Sequence, residues 1–210
     1  MDWEQPLERG GSYPLVILFE GPIVIFGAGR VGVRKAESLA PYCHNITVVS
    51  REHANVPAGV RLVCAEVGKD TFSQHIPPDA ALVISAFDDG ELNHLITDYC
   101  KERRILVTNA SDGADGTALF PNVFGEEGIL VATYGGGSCP VCSYALRRLL
   151  DRQAPWLVPF GILVTRIRGA PYFDKQLLDA LYSDDRLLGI LALKDVDAAI
   201  RYVEGEYGGS

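Results

Sequence analysis

The stretch IVIFGAGRVGVRKAESL, residues 23–39, decides how the rest of the chain is read. It opens on an apolar run, IVIF, with no polar alternation, which suits a strand buried on both faces. The run leads directly into Gly27-Ala28-Gly29-Arg30-Val31-Gly32, and a helix-like segment follows from Arg30. Each glycine has its own task in such a strand–turn–helix unit. Gly27 permits the tight turn, Gly29 lets backbone approach a pyrophosphate, and Gly32 allows close helix–strand packing. The opening of the helix presents free N–H groups and a favourable dipole to phosphate. Gly27, Gly29, Arg30, Val31 and Gly32 are therefore the candidate cofactor-binding turn, and a dinucleotide is the expected ligand. The alternative, a glycine turn that binds nothing, fits this context poorly.

Outward from the turn, short apolar runs alternate with helix-like segments. The runs are ITVVS (46–50), RLVCAEV (61–67), ALVISAF (81–87) and ILVTNA (105–110). Between them, residues 30–40 and 91–104 have helical spacing, the latter through Leu92, Leu95, Ile96 and Tyr99. Residues 71–75 leave room only for a short helix before Pro77 and Pro78. Strands alternating with helices imply βαβ units and an α/β, Rossmann-like parallel sheet. Beyond residue 110 the texture changes. TALFPNVF (117–124) and ILVATY (129–134) read as strands of a hairpin, and residues 138–151 read as a helix. From Trp156 the pattern is helical, broken at residues 169–171, with segments near 172–182, 184–193 and 196–204 and a fraying tail EGEYGGS. The expected division is a nucleotide-binding domain over residues 1–112, a small β-containing segment over 113–145, and a helical domain over 146–210.

The charge balance narrows the partners. With 19 basic against 27 acidic residues the net charge is −8, unsuited to a general nucleic-acid binder, which must displace counterions from phosphates. No apolar run reaches membrane-spanning length, and the start MDWEQPLERGG lacks a signal peptide's basic and apolar regions. An odd count of 5 cysteines without such a signal points to reduced thiols and a cytoplasmic protein.

In open parallel sheets, ligands bind outside the carboxyl ends of the strands. The second strand ends in Ser50, followed by Arg51 and Glu52, where an acid usually holds the adenosine ribose. Arg51 could meet a 2′-phosphate or lie along the adenine, so these residues leave NAD and NADP both open. Asp88 and Asp89 end the fourth strand, near the expected nicotinamide ribose, and can also cap the next helix. The fifth strand ends in Thr108-Asn109-Ala110-Ser111-Asp112-Gly113. Asp112 is thereby placed where a reacting group beside a nicotinamide would be useful, although Asp-Gly is also a common turn pair.

Four stretches together, in this order, resemble the precorrin-2 dehydrogenases of sirohaem synthesis: YPLVILFEGPIVIFGAGRVGVRKAESL, SAFDDGELNHLI, VTNASDG and GILVATYGGGSCPVCSYALRRLL. The matching positions are the glycine turn with Arg34 and Lys35, then Asp88 and Asp89 with Asn93. Asn109 with Asp112 follows, and then Gly136 and Gly137 with Pro140. The resemblance covers residues 13–151. It departs at Cys139, where the family has serine, and in the Gly-Ala-Asp-Gly that follows Asp112. It implies oxidation of precorrin-2 to sirohydrochlorin with NAD as cofactor, and Asp112 as general base. Asn109 and the arginines would contact the substrate. It further implies a homodimer built on the segment after Asp112, with the C-terminal helices covering the substrate cleft. Some members also insert iron into sirohydrochlorin, and the shared motifs belong to both kinds. A non-catalytic NAD-sensing module is a more remote alternative, since it would not need Asn109, Asp112 or the arginine-bearing helix.

Residues 141–170 carry 5 basic residues against 1 acidic, reversing the overall sign. Arg147 and Arg148 are the candidates for pairing with the carboxylates of a tetrapyrrole, against the plainer reading of a solvated helix face. Cys139 and Cys142 form a CxxC at the start of a helix, without a second pair or suitably spaced histidines, so helix packing is the default and no metal site is expected. Cys43, Cys64 and Cys100 lie in apolar segments and read as core, and His94 reads as a surface or hydrogen-bonded histidine.

Overall fold

The computed structural model describes residues 20–126, 129–133 and 140–208. These divide into two units, Met1–Phe120 and Pro121–Ser210. In the first, β1 (Ile23–Phe26), β2 (Ile46–Ser50), β3 (Arg61–Cys64), β4 (Leu82–Ser85) and β5 (Leu106–Asn109) form a parallel sheet in the order β3-β2-β1-β4-β5. The helices α1 (Arg30–Leu39) and α2 (Gly90–Glu102) follow β1 and β4. Strands β1, β2, β4 and β5 are largely buried on both faces, as their unbroken apolar runs require, while β3 at the sheet edge is partly exposed. Val24, Phe26, Val49, Val83 and Val107 pack one way with Phe72, Leu92, Ile96 and Cys100. Ile23, Ile25, Val48, Leu82 and Ile84 pack the other way with Ala36, Leu39, Ala118 and Phe120. The period-two alternation of strand side chains produces both cores from one set of strands.

The sheet reverses its order of succession at β1, whose neighbours are β2 on one side and β4 on the other. The crevice beyond the carboxyl ends of β1 and β4 is the topological switch point at which such sheets bind ligands. Between β2 and β3 there is no helix among the described residues, and a single turn of 3-10 helix, Phe72–His75, precedes β4. That turn is as short as Pro77 and Pro78 demand.

The second unit begins with the antiparallel hairpin β6 (Asn122–Glu126) and β7 (Ile129–Thr133), followed by α3 (Pro140–Gln153) and α4 (Leu157–Ile167). Next come α5 (Lys175–Tyr182), α6 (Asp185–Ala192) and α7 (Val196–Tyr207). Leu163, Ile167, Leu177, Leu181, Leu187, Leu191, Ala199 and Val203 make its core. The aspartates that dominate the acidic charge have local work here and in the first unit. Asp89, Asp174, Asp184 and Asp195 each cap a helix by accepting backbone N–H groups of its first turn.

Three expectations are corrected. Residues 113–120 stay with the sheet because the N–H groups of Thr117 and Ala118 both donate to the Val107 carbonyl, at 2.8 and 2.9 Å. The first hairpin strand consequently starts at Asn122, after Pro121, which has no N–H to give to a ladder. The tail is helical to Tyr207, and Cys64, far from being core, is exposed at the end of β3. No helix among the described residues is long and apolar enough to cross a membrane.

Candidate cofactor and active site

The glycine turn is built as its spacing suggests. Gly27 has φ +94°, and a Cβ on it would lie 2.4 Å from the Ala86 carbonyl oxygen. A Cβ on Gly32 would lie 1.9 Å from the Gly27 carbonyl oxygen. Both positions exclude any side chain for reasons internal to the fold. Gly29 differs: a Cβ there meets nothing within 4 Å. Packing within the protein gives no reason for glycine at this exposed position, so the open space suits an outside group approaching the backbone. Gly29 is also the N-cap of α1, and no side chain caps that helix. Its first N–H groups and its dipole are thus available to an anion, and its first turn holds no acidic residue to oppose one. These features fit a dinucleotide pyrophosphate, held by backbone at Gly29, Arg30, Val31 and Gly32.

The loops at the same edge complete the site. Ser50 is buried at the end of β2, where its Oγ accepts the Glu52 N–H at 3.3 Å. This turn sets Arg51 and Glu52 side by side, with Nη2 3.2 Å from Oε1 and both side chains exposed. After β4, Asp88 is exposed and Asp89 caps α2 through the Leu92 N–H at 3.1 Å. Asn93, fully buried, accepts the Phe87 N–H at 3.1 Å and donates to the Phe87 carbonyl at 2.8 Å. It also donates to Ser111 Oγ at 2.6 Å, fastening the loop after β4 to the loop after β5.

Asn109 is buried at the end of β5, and its Oδ1 accepts the N–H groups of Ser111 and Asp112 at 2.9 and 3.3 Å. Asp112 itself is exposed, and its Oδ1 accepts the Ala114 N–H at 2.9 Å. A short network behind it involves a residue that sequence reasoning missed. Asp115 takes hydrogen bonds from Lys101 at 2.5 Å and Asn109 at 3.0 Å, and meets His94 Nδ1 at 2.8 Å. Burial alone would push its carboxyl pKa up. The hydrogen bonds of Lys101, Asn109 and His94 outweigh burial and hold it below the ordinary aspartate value. Its only sequence signal was an acid in a loop of small residues, and its partners lie 6, 14 and 21 positions away.

Gly27, Gly29, Ser50, Asp88, Asn109 and Asp112 thus all lie at the carboxyl ends of the parallel strands. Lys35, one helical turn into α1, covers the Phe120 ring with Nζ 3.7 Å from its centre. Burial, with help from the neighbouring Arg34 charge, lowers its pKa to about 8.

Arg147 and Arg148 belong to the second unit. Arg147 donates to Asn122 Oδ1 at 3.4 Å and lies 5.3 Å from the centre of the Phe124 ring, while Arg148 reaches the Tyr144 hydroxyl at 3.4 Å. Arg166 pairs with Asp197 at 2.9 Å. Gly136, Gly137 and Cys139 lie outside the described residues. Among those described, no group of three or more His, Cys, Asp or Glu side chains could hold a metal ion.

Residues 16–122, just over half of the chain, match the family described as "Putative NAD(P)-binding". The chain belongs to this NAD(P)-binding family. Its matched region contains the glycine turn and the Asn109–Asp112 loop, so a nicotinamide cofactor is the ligand of the NAD(P)-binding unit. Among curated proteins, Siroheme synthase 1 of Pectobacterium atrosepticum is 28% identical over 140 residues, covering 66% of this chain and 29% of its own. Siroheme synthase of Blochmanniella floridana is 29% identical, covering 70% of this chain and 31% of its own. The match to Siroheme synthase 2 of Serratia proteamaculans is 27% identical and covers 86% of this chain and 41% of that protein. The chain therefore spans less than half the length of these relatives. The solved structure of SirC, precorrin-2 dehydrogenase, superposes with a TM-score of 0.61 over 92% of this chain and 100% of that one. At 17% identity that likeness shows a common fold.

Proposed function

We propose that the protein is an NAD-dependent precorrin-2 dehydrogenase, oxidising precorrin-2 to sirohydrochlorin in sirohaem synthesis. The observation that carries this reading is the placement of an exposed carboxylate, Asp112, on a braced loop at the same strand ends as the open Gly29 turn. The siroheme synthase relatives and the SirC fold supply the substrate class. When bound, the nicotinamide supplies the hydride acceptor. The dehydrogenation removes a hydride and a proton from the tetrapyrrole, and Asp112 takes the proton on its carboxylate. Gly29, Arg30, Val31 and Gly32 hold the pyrophosphate, and Asp88 contacts the nicotinamide ribose. Asn109, buried with both ends of its amide engaged, braces the Asp112 loop instead of meeting the substrate as expected, and Arg147 and Arg148 pair with the substrate's carboxylates.

NAD is preferred to NADP because Arg51 already has the Glu52 carboxylate 3.2 Å away. A 2′-phosphate arriving there would meet that negative charge. The protein acts in the cytoplasm as a homodimer. Support for association comes from the second unit, which exposes Leu130, Val141, Tyr144, Leu146 and Leu149, with Val141 at 73% and Leu149 at 53% exposure.

The test is anaerobic oxidation of precorrin-2, followed by absorbance with NAD and with NADP. Asp112→Ala is expected to lower kcat by about 10²- to 10⁴-fold while NAD binding is retained. Unchanged turnover would remove Asp112 from its role.

A further inference from the structure

The loop that carries Asp112 is fixed from behind by a carboxylate that the proton transfer does not use. The Asp115 side chain is 15% exposed and faces α2, where Lys101 and His94 grip its two oxygens. Its Oδ2 also accepts the Asn109 side-chain N–H at 3.0 Å. That last contact has a directional consequence. An amide side chain has one donating and one accepting end. Because Asp115 can only accept when ionised, Asn109 must turn its Nδ2 toward Asp115 and its Oδ1 toward the N–H groups of Ser111 and Asp112. A chain of hydrogen bonds therefore runs from α2 through Asp115 and Asn109 to the backbone of Asp112. A carboxylate serving only to staple the loop to α2 would be satisfied by Lys101 and His94. The additional bond is the one that leads to Asp112.

We propose that Asp115 is a positioning residue for the dehydrogenation, setting the orientation of Asn109 and through it the place of the Asp112 carboxylate. This rests on the reading of Asp112 as the base. Displacing a reacting group by an ångström costs about 10²-fold in rate, whereas binding of the cofactor at the glycine turn does not depend on it. The effect of Asp115 accordingly falls on kcat.

The experiment compares Asp115→Ala and the isosteric Asp115→Asn in the full-length protein, each alone and combined with Asp112→Ala. Asp115→Ala is expected to lower kcat by about 10- to 100-fold, with KM for precorrin-2 and the Kd for NAD held within about twofold. Asp115→Asn keeps an oxygen that can accept from Asn109, so it retains more of kcat than the alanine variant. In the Asp112→Ala background, adding Asp115→Ala changes the residual rate by less than about twofold, because residues acting through one another are not additive. Amide hydrogen exchange at Ser111 and Asp112 is faster in both Asp115 variants, a readout independent of turnover. Equal losses in both backgrounds would overturn the proposal, as would unchanged kcat or unchanged exchange in Asp115→Asn. Full turnover by Asp112→Ala alone would instead overturn the base assignment, and the proposal with it.

Discussion

Each unit has a carboxylate hub, and the two hubs differ in what they hold. In the first, Asp115 joins α2 to a loop at the strand ends through Lys101, His94 and Asn109. In the second, Asp184 caps α6 through the N–H groups of Arg186 and Leu187, both at 3.0 Å. It also accepts the hydroxyls of Tyr202 and Tyr207 from α7, at 2.9 and 3.0 Å. Burial would raise both carboxyl pKa values, and hydrogen bonding lowers both. The chemistry of the two hubs is alike, but one ends at a loop beside an open turn and the other ends inside helix packing. The first unit separates residues the fold requires from residues it does not. The Asp184 hub spends its polar contacts on the fold itself.

The glycine turn sharpens this contrast most. Gly32→Ala forces a Cβ to within 1.9 Å of a backbone oxygen that cannot rotate away. It should cost about 3 kcal/mol or more of stability, read as a fall in the urea midpoint. Gly29→Ala puts its Cβ into open space and should change stability by less than about 1 kcal/mol. Its effect should appear instead as NAD affinity reduced by about tenfold or more, measured by nicotinamide fluorescence, because the methyl occupies the approach of the pyrophosphate. Equal stability losses in the two variants would break the distinction between required and unrequired glycines.

How much of this was legible in the sequence follows from the range of the interactions. Strand runs, the turn and the helix starts are local patterns of a few residues, and IVIFG, ITVVS and the Asp89 cap are where those patterns place them. Asn109 and Asp112 were legible as a strand-end loop, because the end of a parallel strand is itself a local feature. Asp115 was not. Its three partners come from α2 and β5, and no spacing rule joins positions 94, 101, 109 and 115 before the sheet brings them together. The extent of residues 113–120 was hidden in the same way, since it depends on two N–H groups reaching Val107. The tail was misread because its anchor, the Asp184–Tyr207 bond, spans 23 positions.

Next in size is the second hub. Asp184→Ala removes an N-cap and the acceptor of two hydroxyls, and should destabilise the protein by about 2–3 kcal/mol. The kcat of the folded variant should be unchanged, unlike that of the Asp115 variants. The hub also sets a pH window. The folded Asp184 pKa lies below its unfolded value, so its contribution is present above that unfolded value, near pH 3.9, and is lost as pH falls through the folded one. Tyr202 and Tyr207 run the other way. The hydrogen bond to Asp184 raises the first, and burial with the same hydrogen bond raises the second. Their contribution is present below about pH 10 and is lost as pH rises through their folded values. Thermal midpoints measured from pH 3 to 11 should therefore fall at both ends. Asp184→Ala should flatten the part of that fall which the hub contributes.

The smallest effect isolates one bond of this hub. Tyr207→Phe keeps the ring against the second core and deletes only the hydroxyl that reaches Asp184 at 3.0 Å. Asp184 retains Tyr202 and its two backbone donors, so no acceptor is orphaned, and the loss should be about 1 kcal/mol. The loss should also be local. Tyr207 closes α7, and without its hydroxyl the last turn loses its side-chain tie to Asp184, keeping its backbone bonds, among them the Gly208 N–H to Glu204. Amide exchange should then rise over residues 204–208 and stay unchanged at Leu187 and Leu191, whose helix is capped by Asp184 itself. Exchange rising across α6 as well would mean that the tyrosine orders the carboxylate. The two hubs would then be alike in that each positions something beyond its own bonds.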